Sequence, residues 1–195
     1  MRRRAIPGSS GRVRPVRLLG DPVLAAPCAE VEDFTAPVEV DGDRTDLAGL
    51  VESMFATMYA FDGVGLAANQ IGVPLRVFVY DCPDDEDVRH LGHLVNPRLV
   101  SADGLEVRGP EGCLSLPGLE APTPRADEAV VEGFTLDGAR VRVTGTGFFA
   151  RCLQHECAHL DGGLYLDHLT GSTHRRTLRA ARRAPWAGAA VRPVP

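Results

Sequence analysis

Nowhere in this 195-residue chain is there a run approaching the roughly 18 apolar residues that cross a bilayer, and the arginine-rich start, MRRRAIPGSSGR, lacks the apolar core of a secretory signal. The expected location is therefore the cytoplasm, with no membrane partner. A disulfide framework is missing too. The five cysteines (Cys28, Cys82, Cys113, Cys152, Cys157) are odd in number and scattered, so they read as reduced thiols, at least one of them available as a ligand. No internal repeat is present, and low-complexity sequence is confined to the ends. What remains, 44% hydrophobic and 24% charged residues, suits one domain able to bury a core.

The net charge of −5 hides a segregation. Six arginines lie in residues 1–17 and six beyond Asp167, with no acid in either segment. The other nine share the middle with all 26 acids, and 9 − 26 gives −17 there. So acidic a body excludes broad nucleic-acid binding, DNA included; any polyanion must meet the ends. Residues 1–14 are expected to form a disordered basic arm, residues 15–170 one continuous domain, and residues 171–195 a basic tail, partly helical or disordered.

Leu47, Leu50, Val51, Met54, Phe55 and Met58 recur at helical spacing, which predicts an amphipathic helix over 45–60, capped by Thr45 with Asp46 in the first turn. A Gly-rich loop at 62–65 and a buried strand at 76–80 follow, with further strands near 93–100 and 104–108. Residues 128–144 read as two strands turning at Asp137-Gly138, with Val141 and Val143 alternating with Arg140 and Arg142. From 147 to 160 apolar residues cover nearly every face, and Gly162-Gly163 stops the run: a buried central helix. Strands grouped before such a helix, without βαβ alternation, give an α+β class of antiparallel or mixed sheet around it.

That helix carries His155-Glu156-Cys157-Ala158-His159. Four residues apart on a helix, both imidazoles face one way and can share a metal ion, and Glu156 beside them can exchange protons with water without being a ligand. About one chain in 150 to 200 of this length carries HExxH by chance, so a third ligand has to be found. The HExxHxxGxxH pattern fails, because position 165 is tyrosine and no methionine follows the helix; no glutamate occurs after Glu156, leaving Asp161, Asp167, His168 and His174 downstream. Upstream, Cys113 stands among small, turn-forming neighbours in Glu111-Gly112-Cys113-Leu114-Ser115. Cys113, His155 and His159 then make a three-ligand set whose fourth position holds water, a catalytic arrangement. A loop cysteine taken alone is more often a small buried hydrophobe.

Three segments in this order, GVGLAANQ (63–70), EGCLS (111–115) and QHECAHL (154–160), together resemble the peptide deformylases, and the likeness runs from about Arg17 through GDPVL (20–24) to about Leu169. The resemblance implies a hydrolase that removes the N-formyl group from the formylmethionine of nascent polypeptides. It implies one divalent ion per chain on Cys113, His155 and His159, iron(II) natively with zinc, nickel or cobalt as substitutes. It gives Glu156 the acid–base role in attack by a metal-bound water, and gives the Gln70 amide and the Leu114 N–H the stabilisation of the oxyanion. It further implies that the backbone at Val64, Gly65 and Gly112 holds the peptide as an added strand, and that Val64, Phe148 and Cys152 line the methionine pocket. Ala158 departs from the family, which often has Asp or Gly there; it neither ligates nor titrates. The chain is expected to be a monomer that can touch ribosomal RNA through its basic tail at 174–183. The competing readings are an HExxH metalloprotease, against which the missing downstream ligand speaks, and a non-catalytic metal-binding relative, against which the joint presence of Glu156, Gln70 and Leu114 speaks.

Overall fold

Strands β1 (Val16–Arg17), β2 (Val38–Val40) and β3 (Asp43–Thr45) precede the first helix, α1 (Leu47–Ala60), in the computed structural model, which describes residues 7–194. The helix begins where the apolar spacing placed it, but the cap is Asp46: its Oδ1 accepts from the Gly49 N–H at 2.7 Å, while Thr45 closes β3. A carboxylate there also suits the positive end of the helix. The arm expected to be disordered is held instead from Gly8 onward. The Glu52 carboxylate accepts from the Gly8 N–H, and buried Arg14 donates its own N–H to the Thr57 hydroxyl. Residues 1–6 of that arm lie outside the described residues.

Five antiparallel strands form the main sheet in the order β4 (Gly65–Ala67), β5 (Val77–Pro83), β6 (Arg89–Gly112), β7 (Glu120–Phe134) and β8 (Arg140–Thr146). The two strands expected at 93–100 and 104–108 are one, bent by register shifts at three places. Between them Gly104 (φ +79°) makes a bulge, secured where Asp127 Oδ1 accepts from the Leu105 N–H. Its partner β7 starts eight residues earlier than the sequence suggested. Pro122 and Pro124 masked it, and they sit opposite Pro110 and Arg108 on the outer arm of the hairpin. The turn at Asp137-Gly138 joins β7 to β8 as read, with Gly138 at φ +79°.

Alternation along β5 builds the core on both sides of the sheet. Val77 and Val79 pack with Leu50, Met54 and Met58 of α1. Phe78, Tyr80 and Cys82 face the second helix, α2 (Gly147–Leu160), where they meet Phe149, Leu153 and Leu160. Each of these large side chains contributes about 1.5–3 kcal/mol by leaving water, which is why α2 lies inside rather than on the surface. A third helix, α3 (Gly171–Ala181), and strand β9 (Val191–Arg192), paired antiparallel to β1, complete the chain. The class is α+β. No helix among the described residues is long and apolar enough to cross a membrane.

Helix α2 ends in a glycine cap: Gly162 takes φ +82° and donates to the His159 carbonyl, and Gly163 donates to that of Ala158. A β-carbon on Gly162 would also lie 2.9 Å from the Ala26 carbonyl carbon. Gly162→Ala is therefore expected to cost at least about 1–2 kcal/mol, read as a fall in the thermal unfolding midpoint; an unchanged midpoint would show that the cap is dispensable.

Candidate metal centre

Cys113 sits just past the end of β6, and α2 brings His155 and His159 to face it. Cys113 Sγ lies 3.2 Å from His159 Nε2, and the two Nε2 atoms are 3.1 Å apart. The three donor atoms lie within 4.8 Å of one another. A tetrahedral ion with ordinary Zn–N and Zn–S lengths would hold its donors about 3.3–3.6 Å apart, so His159 already stands from both other donors at nearly the spacing that coordination demands. The donor chemistry also fits a cation of borderline softness. The sequence-predicted ligands thus converge; the downstream candidate His168 hydrogen-bonds Arg125 instead.

Burial shifts two members of this cluster, while His155 is raised against its burial by Cys113 and Glu111. Desolvation pushes His159 well below the ordinary histidine range, leaving the neutral imidazole that a metal binds. Glu156, 3% exposed, is raised by burial to about 7, against the opposing charge of His155, and its Oε2 has no hydrogen-bond partner among the described residues. A carboxyl so placed takes up and gives away a proton near neutrality in the absence of an ion.

The ring of His155 and the backbone of His159 are held from behind. His155 Nδ1 meets Glu111 Oε1 at 2.7 Å, and Asn69 Nδ2 donates to the His159 carbonyl at 2.6 Å. Glu111 in turn accepts from Arg125 (Nη2 at 2.7 Å, Nε at 3.1 Å) and from Arg151 Nη1 at 2.9 Å, while Arg151 also donates to the carbonyls of Thr123 and Val107. Burial alone would raise the Glu111 carboxyl; the hydrogen bonds and charges of His155 and Arg125 outweigh it and hold it below the usual carboxylate range. Glu111, Arg125, Arg151 and Asn69 were not singled out from the sequence. The available signals were Glu111 two residues before the ligand cysteine, and Arg151 as the one arginine of a largely apolar helix.

Gln70 is buried, its Oε1 accepting from the Ala67 N–H and its Nε2 lying 3.4 Å from Cys113 Sγ and 3.3 Å from Ser115 Oγ. The Leu114 N–H makes no hydrogen bond among the described residues. Gln70, Leu114, Val64, Gly65, Gly112, Phe148 and Cys152 all line a cleft of about 630 Å³ that reaches His155 and Glu156. Gly65 lacks a side chain for a reason: a β-carbon there would collide with the Glu156 carboxylate. Strand β4 pairs with β5 on one side only. The Val64 carbonyl accepts from the Asp81 N–H on that side, so by alternation the Gly65 N–H and carbonyl point to the free edge.

A Cys/His/His donor set on an HExxH helix, beside an open cleft and a free strand edge, defines the class: a metallohydrolase. The sequence profile of the polypeptide deformylases matches residues 13–175. The chain is 70% identical to peptide deformylase 2 of Streptomyces avermitilis over 186 residues, 95% of each protein. Among solved structures it resembles the peptide deformylase of Thermus thermophilus (40% identity, TM-score 0.74, covering 88% of this chain and 94% of that one). It also resembles the enzyme of Ehrlichia chaffeensis in complex with actinonin (29%, TM-score 0.75, 88% and 97%). This chain belongs to the polypeptide deformylase family.

Glu111→Gln keeps the shape but removes the charge that both arginines and His155 share. Metal affinity is expected to fall about 10–100-fold, measured by competition with a chelator, and stability to drop by about 3–5 kcal/mol because two buried guanidiniums lose their partner. Unaltered affinity would mean that His155 is held by its helix alone.

Proposed function

We propose that this cleft takes the formylated amino end of a nascent polypeptide and hydrolyses the formyl amide, with Glu156 moving the proton. The convergence of Cys113, His155 and His159 beside Glu156, at the floor of an open cleft, carries the reading. One divalent ion held by those three donors supplies Lewis acidity and makes a water in the cleft acidic. The donor set accepts iron(II), zinc, nickel or cobalt, and the family resemblance favours iron(II).

The peptide lies along the free edge of β4, its backbone hydrogen-bonded to Gly65 on one side and facing Gly112 across the cleft, which reads main chain irrespective of most side chains. Val64, Phe148 and Cys152 offer apolar surface to the methionine side chain. Glu156 removes a proton from the water, whose oxygen bonds to the formyl carbon. The Gln70 Nε2 and Leu114 N–H groups donate to the oxygen on which negative charge develops. The carboxyl of Glu156 then passes its proton to the peptide nitrogen as the C–N bond breaks, and formate and a free amine leave.

Glu156→Gln is expected to lower formate release from a formyl-Met peptide by at least about 100-fold, with metal content staying near one ion per chain. Full turnover by this variant would reject the proton-transfer role, and loss of metal would show that Glu156 serves binding instead.

The enzyme acts as a monomer whose basic face meets the ribosome. Helix α3 and the turn after it expose Arg175, Arg176, Arg179, Arg182 and Arg183, none of them paired with a carboxylate among the described residues. Such a row suits a phosphate backbone. Replacing Arg175, Arg176 and Arg179 by Glu is expected to abolish salt-sensitive co-sedimentation with ribosomes while sparing hydrolysis of short peptides. Undiminished pelleting of this variant would place any ribosome contact elsewhere.

A further inference from the structure

Beyond α3 the chain turns back toward the cleft. Trp186 Nε1 donates to the Pro117 carbonyl at 2.9 Å, on the loop that follows Cys113. The Leu18 N–H donates to the Ala190 carbonyl, and β9 then pairs Val191 with Arg17 and Arg192 with Val16. This short ladder delivers Arg192 to the wall of the catalytic cleft. Its guanidinium carbon sits 4.5 Å from the centre of the Phe61 ring. A guanidinium over an aromatic ring keeps its N–H groups available to a bidentate acceptor, and none of those of Arg192 donates to a partner among the described residues. No carboxylate of the described residues lies within ion-pair distance of Arg192, although Asp62 and Glu120 line the same cleft.

The direction of the cleft says what that edge meets. Glu156 adjoins Gly65, and from there Val64, Gly63, Asp62 and Phe61 lead away from the ligand histidines. A peptide whose formyl group lies at the metal-binding end and whose backbone follows this edge carries its later residues toward Phe61. We infer that Arg192 is a specificity-determining residue that favours an acidic side chain at the first or second position after the formylmethionine. The inference rests on the deformylase reading above and adds a sequence preference to it. The cation is supplied by the last strand, so the carboxy-terminal segment is a wall of the substrate cleft as well as a brace for the Cys113 loop.

The test uses the full-length, metal-loaded enzyme and C-terminally amidated peptides, so that a terminal carboxylate cannot imitate the side chain. Formyl-Met-Ala-Asp-amide and formyl-Met-Asp-Ala-amide are compared with formyl-Met-Ala-Ala-amide. The wild type is expected to favour one of the acidic peptides by about fivefold in kcat/KM at low salt, the scale of an exposed ion pair, with the effect in KM and shrinking as salt is raised. Arg192→Ala should abolish the preference, lowering kcat/KM for the favoured acidic peptide about fivefold more than for the all-alanine peptide, and Arg192→Glu should reverse it toward lysine-containing peptides. No preference in the wild type, or an equal loss on all peptides in Arg192→Ala, overturns the inference while leaving deformylation intact. Failure of the wild type to release formate from any of the three would instead overturn the function on which it rests.

Discussion

A single carboxylate, Glu111, holds the interior of this protein in register. It lies 4% exposed between two guanidiniums and an imidazole, at the point where β6 ends, β7 begins and α2 crosses both. Burying one such charge alone would cost far more than a hydrogen bond returns, and the arrangement persists only because every oxygen is met by a donor. The same contacts fix three elements at once. Arg125 comes from β7 and Arg151 from α2, while His155 belongs to the donor set. Packing of the fold and aim of the metal ligand are thereby one constraint.

Around that point the apolar layers have a simpler task. The alternation in β5 puts Val77 and Val79 against α1 and Phe78, Tyr80 and Cys82 against α2, so the sheet is covered on both faces near the cleft and neither helix can slide without opening a cavity. Helix α2 has no side-chain cap of its own from Thr146; the Asp85 carboxylate, from the loop between β5 and β6, accepts from the Phe148 N–H instead. The first turn of the ligand-bearing helix is thus fastened to the sheet beneath it, next to the Phe148 ring that edges the cleft.

Much of this was legible from residue order. The 3.6-residue spacing marked α1, apolar residues on nearly every face with the Gly162-Gly163 stop marked α2, and His155 and His159 announced their shared face with Glu156 beside them. Cys113 and the sequence-predicted cleft residues do assemble around them. Local pattern failed where long-range pairing decided the outcome. The strands expected near 93–100 and 104–108 are one because Asp127 on the neighbouring strand secures a bulge between them, and prolines at 122 and 124 look like breakers until they are seen opposite Pro110 and Arg108. Arg14 reads as part of a solvated basic arm because nothing nearby in sequence shows that Thr57 and Asp43 await it. The network around Glu111 was hidden for the same reason: its members are separated by up to 44 positions along the chain, and only the fold makes them neighbours.

Strand β9 closes against β1, joining nearly the two ends of the described chain, and the donor set draws on positions as far apart as 113 and 159. During its own synthesis the polypeptide therefore lacks a working centre until almost all of it has been made and has folded.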